Sequence, residues 1–240
     1  MAYTTIDDPS AYFKVQLYTG DGNSSKAITF DDTDTNMQPD FVWIKRRDDA
    51  DSHFIYDSVR FDGSNAYWLQ ANNTNAEGSD RPLTAFGSDG FTIGSNNSAL
   101  NGNTNTYVSW NWKETSTAGF DIIGYSGTGS TATVSHNLGV VPSLIILKCR
   151  TNANPDWIVF GKTLGGTVGS EFLKLNNTGA KTTGLDTSWF NQTAPTSSVF
   201  TVGTQGDVNG SSNTYIAYVF AEKKGFSKFG SYTGNASGNG

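Results

Sequence analysis

A chain of 240 residues, 36% hydrophobic, 13% aromatic and only 16% charged, is long enough to bury a core without metals or disulfides. Its aromatic content excludes a disordered chain. A net charge of −6 argues against nucleic-acid backbone binding, which needs a basic footprint.

In chain order, residues 1–12 read as an arm. Met1 to Asp8 lacks a basic n-region and an apolar h-region, so no signal peptide is expected. The single Cys149 excludes an internal disulfide and reads as a buried thiol. Folding in a reducing cytoplasm is expected. No polybasic membrane patch and no stretch of transmembrane length is present, so no membrane insertion is expected.

From Phe13 the chain repeats itself. Phe13 to Gly22 is similar to Phe120 to Gly129, and Phe226 to Gly234 opens the same way. Tyr18, Tyr125 and Tyr232 stand 107 residues apart. Four further anchors keep the order. Pro39 to Lys45 pairs with Pro142 to Lys148, and Trp68 to Thr74 with Phe172 to Thr178. Phe91 to Gly94 pairs with Phe200 to Gly203, and Asn105 to Val108 with Asn213 to Ile216. The predicted domains are an arm (1–12), repeat 1 (13–114), repeat 2 (120–222), and a third opening or strand-donating tail (226–240).

Within a repeat the signals are those of strands. Phe41 to Ile44, like Leu144 to Leu147, is apolar on both faces, which predicts a strand covered on both sides. Lys45-Arg46-Arg47, followed by Asp48, Asp49 and Asp51, reads as a strand end in water. Gly20-Asp21-Gly22, Asp62-Gly63, Asp89-Gly90, Asn101-Gly102 and Asn209-Gly210 supply turns. Only Thr74 to Asp80 is a candidate for a short helical turn. Val108, Trp110 and Trp112 alternate with Tyr107, Ser109 and Asn111. The bulky row is expected to face the core, with a sugar-stacking platform as the alternative. Gly124 to Gly129 superficially suggests a phosphate loop but, with no helix after it, reads as a hairpin turn. The fold class is therefore all-β: two tandem antiparallel sandwiches, jelly-roll-like or immunoglobulin-like, plus the first strand of a third.

No catalytic, cofactor-binding or metal site is assigned, and no cofactor is expected. No nucleophile elbow, zinc-binding helix motif or P-loop is present. His53 and His136 lie in different parts of the repeat. Asp31-Asp32-Thr33-Asp34 and Asp48-Asp49-Ala50-Asp51 are calcium candidates by their oxygens, without EF-hand spacing. Glu77 and Glu114 give no reason to be paired across a sugar.

Tyr56 to Arg60, Tyr67 to Glu77, Asp89 to Gly94 and Tyr107 to Lys113 resemble a repeated β-domain of virion proteins of marine tailed phages, cyanophages included. Ala221 to Asn235 is similar to the junction into a further copy, through which related chains often continue. The resemblance implies a virion location and an exposed structural or adhesive role: tail fibre, head fibre or capsid decoration. It carries no catalytic residues. The expected partners are further copies of the chain, other virion proteins and a host-surface glycan. A carbohydrate-binding adhesin is the alternative function, and a glycan-degrading enzyme the remote one.

Overall fold

The computed structural model describes residues 4–30, 35–164, 171–184 and 186–235. The chain is nearly all β, in antiparallel sheets. Repeat 1 runs β1 (Phe13–Thr19), β2 (Lys26–Thr29), β3 (Phe41–Arg46), β4 (Phe54–Asp57), β5 (Ala66–Gln70), β6 (Gly78–Gly87), β7 (Gly90–Ile93), α1 (Ser98–Asn101) and β8 (Thr106–Trp112). Its strands hydrogen-bond in the order β1-β8-β3-β4-β5-β6-β7-β2. Register shifts in β5–β6 and β6–β7 mark bulges, which bend a sheet. The first five strands of that order form one layer and the last three face it.

Repeat 2 runs β9 (Phe120–Ser126), β10 (Ala132–Ser135), β11 (Leu144–Cys149), β12 (Ile158–Gly161), β13 (Leu173–Lys174), β14 (Val199–Val202), α2 (Gly206–Asn209) and β15 (Thr214–Phe220). Its large layer is β9-β15-β11-β12-β13, strand for strand the order of β1-β8-β3-β4-β5. The β10–β14 pair repeats β2–β7. The counterpart of β6 is absent among the described residues, so the two layers of repeat 2 share no strand pairing.

Each sandwich closes on its own core. Val42, Ile44, Phe54 and Tyr56 meet Ile28, Leu83, Phe91 and Ile93 in repeat 1. Ile145, Leu147, Ile158 and Phe160 meet Val134, Phe200 and Val202 in repeat 2. The other face of β3 and β4 feeds a third core between the repeats, where Phe41, Ile55 and Leu69 pack on Phe120, Ile122, Ile216 and Tyr218. Both strands predicted to be covered twice are therefore central: their alternate residues enter different cores.

The repeated Tyr, Gly and Asn-Gly signals build one local device. The Asn101 amide donates to Asp21 Oδ1 at 2.8 Å and to the Asn23 carbonyl at 2.9 Å. The Asn209 amide donates to the carbonyls of Ser130 at 2.6 Å and Gly203 at 2.7 Å, and its Oδ1 accepts from the Thr128 amide. Stacked tyrosines close it, Tyr18 on Tyr107 and Tyr125 on Tyr215. A Cβ at Gly127 would lie 2.1 Å from the Gly210 carbonyl oxygen, so only glycine fits.

The structure corrects four expectations. Residues 124–129 are not a hairpin turn: β9 pairs with β15 and β10 with β14, so the segment crosses between layers. Thr74 to Asp80 forms no helix; β6 begins at Gly78, and the helical turns lie at Pro9–Ala11, Ser58–Arg60, α1 and α2. Residues 226–235 hold no strand. The buried side of β8 is Tyr107, Ser109 and Asn111, while Val108, Trp110 and Trp112 are half-buried on the outer face. Alternation separates the two faces of a strand but does not say which one meets the core.

Asn209→Ala strands the Thr128 amide and two carbonyls beneath the loop. Urea melts should show a loss of about 3 kcal/mol, the scale of buried groups left without partners.

Candidate functional site: the inter-repeat junction

The third core has a polar clamp at its edge. Asp57 ends β4 with its side chain accepting from the Arg60 amide at 2.9 Å, which caps the turn Ser58–Arg60. That turn aims Arg60 back at its own cap, Nε to Oδ2 at 2.6 Å, with both side chains fully buried. Tyr218 reaches in from repeat 2, donating to Asp57 Oδ2 at 2.7 Å. Burial pushes the Tyr218 phenol well above its ordinary pKa, so it stays a neutral donor. Burial also opposes the charge of Arg60, yet Asp57, Tyr218 and Glu77 together hold its pKa above the ordinary value.

Glu77 carries the clamp across the boundary. It takes Arg60 at 3.2 Å and Arg150 of repeat 2 at 2.9 Å. Lys148 donates to the carbonyls of Thr74 in repeat 1 and Pro155 in its own repeat. Burial lowers its pKa to about 8. The indole of Trp157 donates to the Gln70 carbonyl at 2.8 Å. These residues were not singled out from the sequence as a site. Lys148 offered one signal, a charged residue between apolar Leu147 and Cys149.

The linker holds a second cluster. Glu114 accepts from the Ile122 amide at 3.0 Å, and Asp40 accepts from the Glu114 amide at 2.8 Å. Burial, then the hydrogen bond shared with Asp121, raises Glu114 to about 7. Burial also raises Asp40. Gly119, with φ 76°, makes the turn into β9. The same arrangement recurs after repeat 2, where Gly225 has φ 78° and Glu222 accepts from the Phe229 amide at 3.0 Å.

Beside the junction lies an apolar cleft of about 410 Å3, walled by Trp43 and Trp112 of repeat 1, Leu144 and Ile146 of repeat 2, and Phe226 and Phe229. A shallower groove of about 250 Å3 continues over Trp43, His53, Trp110 and Trp112. Beyond it Val15 and Leu17 are 49% and 54% exposed. Trp110 and Trp112 thus line an open aromatic surface.

The remaining predicted positions have structural partners. His53 Nδ1 accepts from the Trp43 indole at 3.0 Å, and burial, then Lys45, lowers its pKa. His136 Nε2 lies 3.2 Å from the Thr196 carbonyl oxygen. Asp48, Asp49 and Asp51 all close on Arg46, within 2.6 to 3.2 Å. Asp31 to Asp34 lies outside the described residues. No group of three potential metal ligands occurs among the described residues. Cys149 is fully buried.

The class these features define is an all-β tandem-sandwich protein whose two units share an apolar, clamped junction. By sequence the chain belongs to the family named Domain of unknown function (DUF7483), whose model matches residues 8–240. No curated protein and no solved structure matches it.

Two measurements probe the junction. Arg60→Leu leaves the Asp57 carboxylate buried without its cation, and chemical melts should show a loss of about 3–5 kcal/mol. Glu114 titrates near 4.5 when unfolded and near 7 when folded, so the folded chain binds its proton more tightly. Its contribution is full below about 4.5 and is lost as pH rises through 7. The melting temperature should therefore fall between those values, and Glu114→Gln should flatten that segment of the curve.

Proposed function

We propose that this chain is a non-catalytic structural protein of a phage virion, part of an exposed tail or head fibre or of a capsid decoration layer. The observation that carries the reading is the junction: two copies of one sandwich are joined through a dedicated apolar core, a way of building an extended part from stacked units. Phe41, Ile55, Leu69, Ile122, Ile216 and Tyr218 are buried there. At roughly 1.5–3 kcal/mol per buried side chain, the contact has the scale of a domain core. The resemblance to repeated β-domains of marine phage virion proteins supplies the setting. In this reading the partners are further copies of the chain and other virion proteins.

A second reading is favoured by one observation. The half-buried Trp110 and Trp112 lie on the outer face beside Trp43, in a groove open to solvent. Flat aromatic surfaces of this kind stack on sugar rings, which fits binding to a host-surface glycan.

Electron microscopy of intact particles labelled with an antibody to this chain tests the first reading: label on head, neck or tail is expected, and unlabelled particles would reject it. An array of host-surface glycans tests the second. Binding lost on Trp110→Ala supports it, and silence across the array leaves the structural role alone.

A further inference from the structure

The junction is built from different parts of the two repeats. Repeat 1 contributes β3, β4 and β5, and repeat 2 contributes chiefly β9 and β15. Among the described residues, such a contact leaves each repeat with an unused half, and the matched strand registers locate both halves. In repeat 1 the counterparts of Ile122, Ile216 and Tyr218 are Val15, Val108 and Trp110. Ile122, Ile216 and Tyr218 are at most 4% exposed, whereas Val15 is 49% exposed and Val108 and Trp110 are half-buried. In repeat 2 the counterparts of Ile55 and Leu69 are Val159 and Leu173. Both are half-buried, where Ile55 and Leu69 are 1% and 0% exposed.

The chemistry of the two open halves has changed together. In the closed junction the Tyr218 hydroxyl is held by Asp57 and Arg60. On the open half of repeat 1, Trp110 stands in place of Tyr218 and has no hydroxyl to place. On the open half of repeat 2, Gly161 stands in place of Asp57, and Leu164 in place of Arg60. A hydroxyl is missing from one surface, and the ion pair that would receive it is missing from the other. Replacing a buried ion pair by apolar groups is compatible with a stable contact. The outer clamp has no counterpart: Lys181 replaces Glu77 and Arg47 replaces Arg150, although Lys181 is neutralised by Glu171 at 2.8 Å.

We propose that the open outer face of repeat 1, at Val15, Leu17 and Trp110, docks a second copy of this chain through that copy's repeat 2 face at Val159, Leu164 and Leu173. The contact continues the internal junction head to tail. Because the two surfaces differ, it closes into a ring or extends as a filament according to the rotation between copies. Lacking the outer clamp, it is weaker than the internal junction and depends on concentration. The inference rests on the reading of the chain as an assembling structural part, but its test needs only pure protein. A failure here would leave the particle-labelling result standing.

The test is sedimentation velocity of the purified chain over a wide concentration range, with two double variants. Val15→Lys with Leu17→Lys blocks one surface, and Val159→Lys with Leu173→Lys blocks the other. The unmodified chain should grow in mass with concentration, each variant alone should stay monomeric, and their equimolar mixture should give a species of twice the monomer mass. Circular dichroism checks that each variant is folded; if one is not, Leu17→Lys or Leu173→Lys alone replaces it. An unmodified chain that is monomeric throughout overturns the proposal. So does a mixture that stays monomeric, or a variant that still self-associates, since that would mean like surfaces pair.

Discussion

The central strands β3 and β11 are apolar on both faces, and such strands have to be covered twice. The small layer covers the inner face. For repeat 2 the outer face of β9 and β15 is covered by repeat 1, so Ile122, Ile216 and Tyr218 are buried without belonging to either sandwich core. The inner face of β1 and β8 departs from this pattern: Lys14, Gln16, Ser109 and Asn111 are buried there. Those strands put their polar residues inward and their bulk outward. Local hydrogen bonds offset part of this: the Asn111 amide donates to Ser109 Oγ at 3.0 Å and to the Lys14 carbonyl, and Lys14 lies 3.8 Å from Asp89, while Asn111 Oδ1 has no hydrogen-bond partner among the described residues. With so little apolar drive inward, the pairing register of β1 rests on the Asn101 and Tyr107 device at its end.

That inversion marks the limit of what sequence could give. Repeat length, strand content and the two doubly covered strands are legible because period-two alternation is a local signal; Asn101-Gly102 and Asn209-Gly210, which read as hairpin turns, instead end the helical turns α1 and α2, with Gly102 and Gly210 at φ −62° and −59°. The orientation of Val108, Trp110 and Trp112 is not legible. Bulk implies burial only if each unit has one core, and here a second core lies outside the sandwich. The clamp was invisible for a different reason: Tyr218 and Asp57 are 161 residues apart in the chain, and neither stands out in its own strand. The crossing at residues 124–129 is not legible in the sequence because glycine-rich hairpins and glycine-rich crossings use the same residues; only the partner strands tell them apart.

Apolar contact and polar clamp divide the work of the junction. Two pleated faces of Ile, Leu, Phe and Trp can slide over each other at small cost. A buried Asp57–Arg60 pair that must also receive one hydroxyl favours a single register, because displacement takes the Tyr218 hydroxyl away from the buried carboxylate. A buried ion pair adds little stability over a well-packed apolar contact, because desolvation offsets its attraction. Glu114 acts at a shorter range, tying the linker to β9 by accepting from the Ile122 amide, while burial and the hydrogen bond shared with Asp121 hold its pKa up.

The segment after repeat 2 separates what a junction fixes locally from what it does not. Gly225 and Glu222 reproduce the turn geometry of Gly119 and Glu114, so this geometry is encoded within about eight residues. Yet β9 forms and its counterpart at residues 226–235 does not. The difference lies in pairing. In each complete repeat the first strand is an edge strand hydrogen-bonded only to the last, β1 to β8 and β9 to β15. No last strand faces residues 226–235 among the described residues, and a lone strand has no ladder to sustain it. The local code aims the chain, and only the return of the far end of the same unit turns that aim into a sheet.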